Sequence, residues 1–520
     1  MKKIETALTV LLISLFSLTI HAQQTHTLKG TAAHQAGKKV ELLDFYGDKN
    51  RIVSSTIVDK DGLFRFSFGE NSPVGMYRLK FENGRNVNVI YNHKDIELSI
   101  AKPNIQAGRF PVIDGIEVLS SGDTRIYYDF LRTLNLRRKR TAHLNQLKHL
   151  YPPSKDRDKV SGQNTTDVRE AETVRFRTHI EEELSNIHKG FESYIQKLIK
   201  DNPDSFAVNI IKTTKTELNF KVAGGKPRRL LSGDERREWI KEHFWDNMDL
   251  SDETLLRSPV IPSKISEYIS LYKNDKLERA EREIAYIEAV DVILLNASVN
   301  DAVFGVVLDI VTRRFEQSEF ELVLTYITEN YILPKSGCED SEGVVSKDRA
   351  AELREKVAII KKMAVGNPAP EIEMPQQGFF DLNVSEGTVV PASGSQMKLS
   401  GMSSENTLVV FWASWCPHCS TLLSALKPVY EEYRDVGLEV LAISIDTDQS
   451  AWQNAISQGQ YRWINYSELS GWNGMAAKDY GVWSTPRMYL LDSEERIIAR
   501  PVNVAELKES IAPLKSFKTE

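Results

Sequence analysis

Short apolar runs separated by polar turns fill residues 25 to about 117. In Leu63–Phe68 apolar and polar residues alternate strictly, as in a strand with one buried face and one solvated face. The turn Asp59–Gly62 precedes this run. The pattern predicts a small antiparallel β-sandwich, with strand-like runs at His26–Gly30, Lys39–Phe45, Ile52–Val58, Leu63–Phe68 and Met76–Phe81.

Helical spacing dominates residues 118–362, which we expect to form an α-helical domain. A polar break, with runs at residues 151–158 and 161–167, predicts a loop between helices. Two apolar stripes at helical spacing are typical of helix–helix cores rather than of cofactor sites. These stripes are Phe176, Ile180, Leu184, Ile187 and Phe191, and Ile284, Ile287, Val290, Ile293 and Leu294.

Strand-like and helical patterns are mixed in residues 363–520. The apolar run Asn406–Phe411 is followed by the helical pattern Ser420–Lys427, whose continuation has a buried face (Leu426, Val429, Tyr430 and Tyr433). The continuous apolar run Leu438–Ile445 predicts a strand buried on both faces. Residues 488–498 predict a hairpin with a polar turn at Asp492–Glu495.

The chain is thus expected to be multidomain, which suits its length of 520 residues. Its net charge is only −6, and acidic and basic residues are interspersed. This balance argues against nucleic-acid binding and against attachment to a membrane surface through basic residues. The predicted division is a signal peptide (1–22), a β-sandwich domain (25–117), a helical domain (118–362) and an α/β domain (363–520).

The N-terminus has the pattern of an export signal. Lys2 and Lys3 precede the apolar stretch Ala7–Ile20, and Ala22 suits the small-residue position at a cleavage site. An uncleaved N-terminal anchor is the alternative. Export would place the mature chain in the periplasm or cell envelope, where a dithiol needs a partner to stay reduced.

Two of the three cysteines form the sequence Cys416-Pro417-His418-Cys419 between the run that ends at Phe411 and the helical pattern. A helix N-terminus favours a thiolate, so this position suits redox chemistry. Half of a zinc site is an alternative, but such a site needs two more ligands at suitable spacing. A structural disulfide would constrain little, because its loop contains only two residues. We therefore favour a redox role and expect no metal.

The segment Phe411–Cys419 resembles the active site of thioredoxin-fold proteins. It is most similar to bacterial envelope thiol–disulfide oxidoreductases of the alkyl hydroperoxide reductase and thiol-specific antioxidant superfamily. Three more segments resemble this family in order: Val365–Glu371, Leu438–Asp446 and Tyr480–Pro486. The resemblance covers residues 363–520 and implies an α/β thioredoxin fold there.

The resemblance implies exchange of disulfides with protein substrates. Cys416 would form the mixed disulfide and Cys419 would resolve it, so Cys416–Cys419 would be the redox-active disulfide. Trp415, Pro417 and His418 would tune the site, and no bound cofactor is expected. Electrons would pass to or from another envelope protein.

The resemblance also implies that Thr485 and Pro486 form a cis-proline loop that docks substrate backbone. An ordinary trans-proline turn is the alternative. Thioredoxins proper have a buried aspartate where this chain has Val410, so the proton acceptor for Cys419 would be water or a carboxylate that the sequence does not identify. Ala413 and Val409 stand where peroxiredoxins have threonine and proline, which argues against peroxidase chemistry.

The remaining segments say less about chemistry. The β region resembles a domain of unknown function that often precedes exported thioredoxin domains, and His243–Arg257 resembles helical segments that join the two. Cys338 is the odd cysteine of the chain, so it is either a free thiol or a partner in exchange with Cys416. The acidic residues around it disfavour a thiolate.

Two functions follow from the sequence. The first is an envelope thiol–disulfide oxidoreductase that contributes to redox homeostasis, and the direction of electron flow stays open. The second is an envelope interaction or assembly protein whose thioredoxin domain is vestigial or regulatory, because about two thirds of the chain lies outside that domain.

Overall fold

The structure is a computed structural model. It describes residues 26–102, 113–151, 167–214, 233–333, 345–375, 378–383, 388–391, 397–402 and 404–513. The predicted signal peptide, most of the polar break after Leu150, and Cys338 lie outside these residues. The chain divides into two compact units, Met1–Lys273 with Asp291–Ile310 and Asn274–Val290 with Val311–Glu520. The three domain boundaries expected from the sequence stay predictions.

The N-terminal strands form two four-stranded sheets, in the orders β4-β1-β7-β8 and β3-β2-β5-β6. The strands are β1 His26–Thr31, β2 Lys39–Tyr46, β3 Lys49–Ile57, β4 Leu63–Phe68, β5 Gly75–Phe81, β6 Asn86–Tyr91, β7 Ile96–Ile100 and β8 Ile116–Ser120. Both sheets contribute to one hydrophobic core, with Leu28 and Phe64 from the first and Leu42 and Leu79 from the second. In β4 buried and exposed residues alternate as predicted.

Two features of this region differ from the sequence prediction. β1 pairs with β7 in parallel, so the first sheet is mixed rather than wholly antiparallel. Parallel neighbours need a long connection, and here the chain between them builds the whole second sheet. The prediction also missed β6, β7 and β8. β6 and β7 alternate polar and apolar residues much as β4 does, so the signal for them was present in the sequence. In β8 only Ile116 is buried, so its apolar pattern is weak.

The region after β8 is helical, as predicted. Its α-helices are α1 Gly122–Leu150, α2 Asp167–Asp201, α3 Phe206–Lys212, α4 Gly233–His243, α5 Val260–Leu271, α6 Arg279–Ala297, α7 Asp301–Glu316, α8 Glu321–Ile327 and α9 Lys347–Lys362. In the first stripe Ile180 and Phe191 are buried, whereas Phe176 is exposed. In the second stripe Ile284 was wrongly assigned to the core and is 63% exposed. The face of α6 is turned slightly from the predicted one, and Glu283 is buried instead.

The C-terminal part is an α/β fold around a seven-stranded sheet in the order β11-β10-β15-β14-β13-β16-β17. Its strands are β10 Phe379–Asn383, β11 Thr388–Pro391, β13 Asn406–Trp412, β14 Leu438–Ser444, β15 Ile464–Ser467, β16 Arg487–Asp492 and β17 Ile497–Ala499. β9 Glu373–Met374 and β12 Met397–Lys398 form a separate pair. The helices are α10 Pro417–Tyr433, α11 Gln449–Gly459, α12 Met475–Asp479 and α13 Val504–Ile511.

Strand β13 lies inside this sheet, parallel to β14 and antiparallel to β16. All seven of its residues are buried. The predicted strands, the helix with its buried face and the C-terminal hairpin are confirmed. This arrangement places the turn that follows β13 at the carboxyl end of two adjacent parallel strands.

Candidate active site

The Cys-Pro-His-Cys sequence forms the turn between β13 and α10. Cys416 is the N-cap residue of α10, and Pro417 occupies the first helical position, where its fixed φ and missing N–H cost nothing. The backbone N–H of Cys419 donates to Cys416 Sγ at 3.2 Å. The first sulfur therefore lies at the positive end of the helix, where negative charge is stabilised.

Cys416 and Cys419 are joined by a disulfide, with their Cα atoms 5.3 Å apart. Cys419 is fully buried, and Cys416 is 6% exposed. The bonded cysteine and a neighbouring loop lie against the Cys416 sulfur. Of the two cysteines, Cys416 is the one with exposed surface.

The loop that covers Cys416 is the one predicted to contain a cis-proline. The Thr485–Pro486 peptide bond is cis, and the Thr485 carbonyl oxygen lies 3.6 Å from Cys416 Sγ. These two segments are 69 residues apart in sequence, and the fold brings them into contact. Thr485 and Pro486 are both half-buried beside the sulfur.

The other predicted site residues lie at the surface of the same turn. Trp415 is 59% exposed, and its ring lies 6.3 Å from that of Trp472. His418 is exposed on the first turn of α10. Trp472 also lines a cavity of about 240 Å³ together with Val482 and Trp483, in the loop before Thr485. Aromatic surface therefore extends from Trp415 towards the cis-proline loop.

A buried carboxylate behind the turn was not identified from the sequence. Asp446 is 1% exposed and follows β14. It accepts hydrogen bonds from the Ser414 N–H (2.9 Å), the Ser414 hydroxyl (2.6 Å) and the Ser444 hydroxyl (2.6 Å). Hydrogen bonds to a carboxylate are among the stronger ones in proteins. Asp446 thus anchors the backbone two residues before Cys416.

The signal for Asp446 was present in the sequence. The acid ends the apolar run Leu438–Ile445, and this run was predicted to be a buried strand of the sheet. The carboxyl ends of adjacent parallel strands meet at the same edge, so an acid there lies beside the Cys-x-x-Cys turn. Val410, which stands where thioredoxins proper have a buried aspartate, is also fully buried, within β13.

The segments that carry the resemblance meet around this site. The Tyr489 hydroxyl donates to the Tyr480 carbonyl at 2.7 Å, and the Tyr480 hydroxyl donates to the Pro370 carbonyl at 2.8 Å. Burial raises the pKa of Tyr480 well above its usual range, so the hydroxyl stays a donor. The Tyr480 ring also packs 5.3 Å from that of Phe411. The segment Val365–Glu371, strand β13 and the loop Tyr480–Pro486 are therefore in contact with one another.

The uncleaved N-terminal anchor that the sequence leaves open lies outside the described residues. Among residues with described positions, no group of three or more His, Cys, Asp and Glu side chains is arranged to hold a metal ion. Within the same ranges, none of the helices combines the length and apolarity needed to cross a bilayer.

The sheet order, with a disulfide at a helix N-terminus and a cis-proline loop beside it, is that of a thioredoxin-like fold, and relatives of this region include thiol–disulfide oxidoreductases. Residues 365–500 match the model of the AhpC/TSA family. Residues 186–314 match a second model, described as a domain of unknown function (DUF5106). The segment His243–Arg257 lies within the second match.

Curated relatives share the C-terminal region. The thiol-disulfide oxidoreductase ResA of Bacillus thuringiensis subsp. konkukian (strain 97-27) is 22% identical over 138 residues, which are 26% of this chain and 69% of the relative. The thioredoxin-like protein YneN of Bacillus subtilis (strain 168) is 26% identical over 120 residues, which are 22% of this chain and 69% of the relative.

Solved structures are also similar to this chain. The C-terminal domain of a putative thiol-disulfide oxidoreductase from Bacteroides thetaiotaomicron is 26% identical and covers 29% of this chain and 97% of its own, with a TM-score of 0.25. A thioredoxin-like protein from Bacteroides caccae ATCC 43185 is 16% identical and covers 57% of this chain and 99% of its own, with a TM-score of 0.39.

Proposed function

We propose that this protein exchanges disulfides with protein substrates in the cell envelope, with Cys416 as the nucleophile and Cys419 as the resolving cysteine. The observation that carries the proposal is the Cys416–Cys419 disulfide at the N-terminus of α10, opposite the Thr485 carbonyl. The more exposed cysteine, Cys416, has both a stabilising helix end and the Thr485 carbonyl beside its sulfur.

In the reducing direction the Cys416 thiolate attacks one sulfur of a substrate disulfide. A bond forms between Cys416 and the substrate, and the other substrate sulfur leaves as a thiolate that takes up a proton. Cys419 then loses its proton and attacks Cys416 Sγ, which re-forms the Cys416–Cys419 disulfide and releases the second substrate thiolate. The oxidising direction is the reverse of these steps.

Thr485 and Pro486 dock the substrate chain in this proposal. An extended substrate segment would pair with the Thr485 backbone as an added strand, which would hold its sulfur near Cys416. Trp415 shields one side of the sulfur, and Pro417 and His418 tune its reactivity. The reaction needs no bound cofactor, because an upstream envelope redox partner supplies or removes the electrons.

The envelope location rests on the N-terminal pattern of Lys2, Lys3 and the apolar stretch Ala7–Ile20. In this compartment the protein would contribute to redox homeostasis. Expression of the full chain followed by fractionation and N-terminal sequencing tests the point. We expect a mature chain that begins after Ala22 in the envelope fraction, and full-length protein in the cytoplasm would contradict the assignment.

The enzymatic proposal is tested by disulfide exchange between the full chain and a disulfide-bonded model protein. We expect Cys416→Ser to abolish exchange, and Cys338→Ser, the matched control, to retain it. Full function of the Cys416→Ser variant in a redox-dependent assay would contradict the proposal and favour the interaction protein.

The direction of exchange is set by the reduction potential of the Cys416–Cys419 pair. Equilibration with glutathione measures it. A value near about −120 mV would indicate disulfide donation, and one near about −270 mV would indicate reduction of substrates.

A further inference from the structure

A buried charge cluster lies directly behind the docking loop. Glu321, the first residue of α8, has a side chain that is 8% exposed. Its Oε1 lies 2.9 Å from Arg487 Nη2, and its Oε2 lies 2.6 Å from Arg500 Nη2. The two arginine side chains are 11% and 15% exposed. One carboxylate therefore joins two arginines away from solvent.

Arg487 occupies a critical position in the chain. It follows Pro486 directly, begins β16 and pairs with Phe411 of β13, which leads into the Cys-x-x-Cys turn. Arg500 follows the end of β17, the strand that pairs with β16. Glu321 thus fixes the end of the hairpin from which the Thr485–Pro486 loop emerges.

A second contact holds the other end of the same loop. Lys356 Nζ of α9 lies 4.3 Å from the centre of the Trp483 ring, and it also pairs with Glu316 at 3.1 Å. A Cβ added to Gly481 would lie 2.6 Å from Ile359 Cγ2, so α9 packs closely against the start of the loop. Residues 481–487 are therefore held at both ends by helices that precede the matched region 365–500.

The physical character of the cluster favours a positioning role. Burying a carboxylate and two guanidinium groups carries a large desolvation cost, and apolar packing would often stabilise a fold equally well. A buried ion pair can instead restrict the geometry of the elements that it joins, and here each arginine contacts Glu321 through one terminal nitrogen. Here that geometry is imposed on the residue next to the cis-proline.

We propose that Glu321 is a positioning residue for substrate docking. By holding Arg487 it sets the position of the Thr485 carbonyl opposite Cys416, so the helical segment before the thioredoxin fold controls how protein substrates bind. This inference rests on the proposed function, because it assumes that substrate backbone pairs with Thr485. It assigns Glu321 no contact with the reacting sulfurs.

The test compares Glu321→Gln with the control Glu319→Gln in the full chain. Glu319 lies two residues away, is more exposed, and pairs with Arg282 at 3.6 Å rather than with the docking hairpin. Each variant is assayed with a disulfide-bonded model protein, which needs docking, and with glutathione disulfide, which offers little backbone to dock. The reduction potential of the Cys416–Cys419 pair is measured in parallel.

We expect Glu321→Gln to lower kcat/KM for the model protein by between about tenfold and a hundredfold, mainly through KM, because small misplacements of a binding group have effects of this size. Reaction with glutathione disulfide and the reduction potential should stay at wild-type values, as should all properties of Glu319→Gln. If Glu321→Gln does not fold, Arg487→Lys, which keeps the charge but loses the planar fork, should show the same split to a smaller degree.

Two results would overturn the inference in distinguishable ways. An unchanged KM for the model protein in a folded variant, or a parallel loss with both substrates, would show that Glu321 has only a structural role, and the proposed function would stand. If the wild-type chain reacts with neither substrate, the proposed function fails and the inference fails with it.

Discussion

Replacement of Asp446 by alanine should loosen the active-site turn while leaving the rest of the sheet intact. The carboxylate accepts three hydrogen bonds, two of them from Ser414. Hydrogen bonds to charged groups contribute about 1.5–3 kcal/mol each, but removing the buried carboxylate also removes its desolvation cost. We therefore expect the free energy of local opening to fall by about 3 kcal/mol.

Hydrogen exchange measured by mass spectrometry reports this opening directly. A loss of about 3 kcal/mol corresponds to roughly hundredfold faster exchange, since each 1.4 kcal/mol is a factor of ten. The effect should appear in peptides that cover residues 412–419. Asp446→Asn should cost less, because the amide keeps one acceptor oxygen and its NH₂ group can donate to the Ser414 hydroxyl.

Asp448→Ala is the matched control. Asp448 is exposed and caps α11 by accepting from the Ala451 N–H at 3.0 Å. Its loss should accelerate exchange at the start of α11 and not in residues 412–419. If Asp446→Ala leaves exchange in residues 412–419 within about twofold of wild type, less than 0.5 kcal/mol by the same conversion, the carboxylate does not anchor the turn.

Two further predictions concern stability. Burial alone would raise the pKa of Glu316, but hydrogen bonds and charges from two cations of α9 lower it. The contribution of Glu316 to folding stability should therefore be present above about pH 4.3 and lost as the pH falls through the folded-state pKa. The difference in unfolding free energy between wild type and Glu316→Gln, measured by urea unfolding, should shrink on acidification, and a constant difference would contradict the assignment. In Gly30→Ala the new Cβ would lie 2.1 Å from Phe64 Cζ in the sandwich core, which should lower the free energy of urea unfolding by about 1–3 kcal/mol. The control Gly69→Ala has open space around the new Cβ and should unfold like wild type. Equal unfolding midpoints for the two variants would refute the overpacking argument.

The sequence predicted those parts of the fold whose patterns are local. The alternation in Leu63–Phe68 and the apolar run from Leu438 each report burial on known faces, and the structure confirms both. The parallel pairing of β1 with β7 could not be read in this way, because it joins residues that are far apart in sequence. The assignment of Ile284 to the core was wrong for a related reason, because tertiary packing decides which of several similarly apolar helix faces is buried.

In the candidate site, too, residues in local motifs could be predicted and residues placed by tertiary contacts could not. Cys416, Cys419, Thr485 and Pro486 form contiguous motifs that stand out in the sequence, and the fold brings them together. Glu321 carries no such signal, because it is one acid among many in a helical stretch and its arginine partners lie more than 160 residues later. Its role depends on tertiary contacts alone.

The most direct test of the central claim is a trap for the mixed disulfide. A full chain with Cys419→Ser and Cys338→Ser retains Cys416 as its single cysteine and cannot resolve the intermediate. We predict that its Cys416 thiolate attacks disulfide-bonded substrate proteins, releases one substrate sulfur as a thiolate and stays in a mixed disulfide, with the bond mapped to Cys416 by peptide mass spectrometry. The matched chain with Cys416→Ser and Cys338→Ser should form none. Equal adduct formation by the second chain would contradict the claim that Cys416 is the nucleophile.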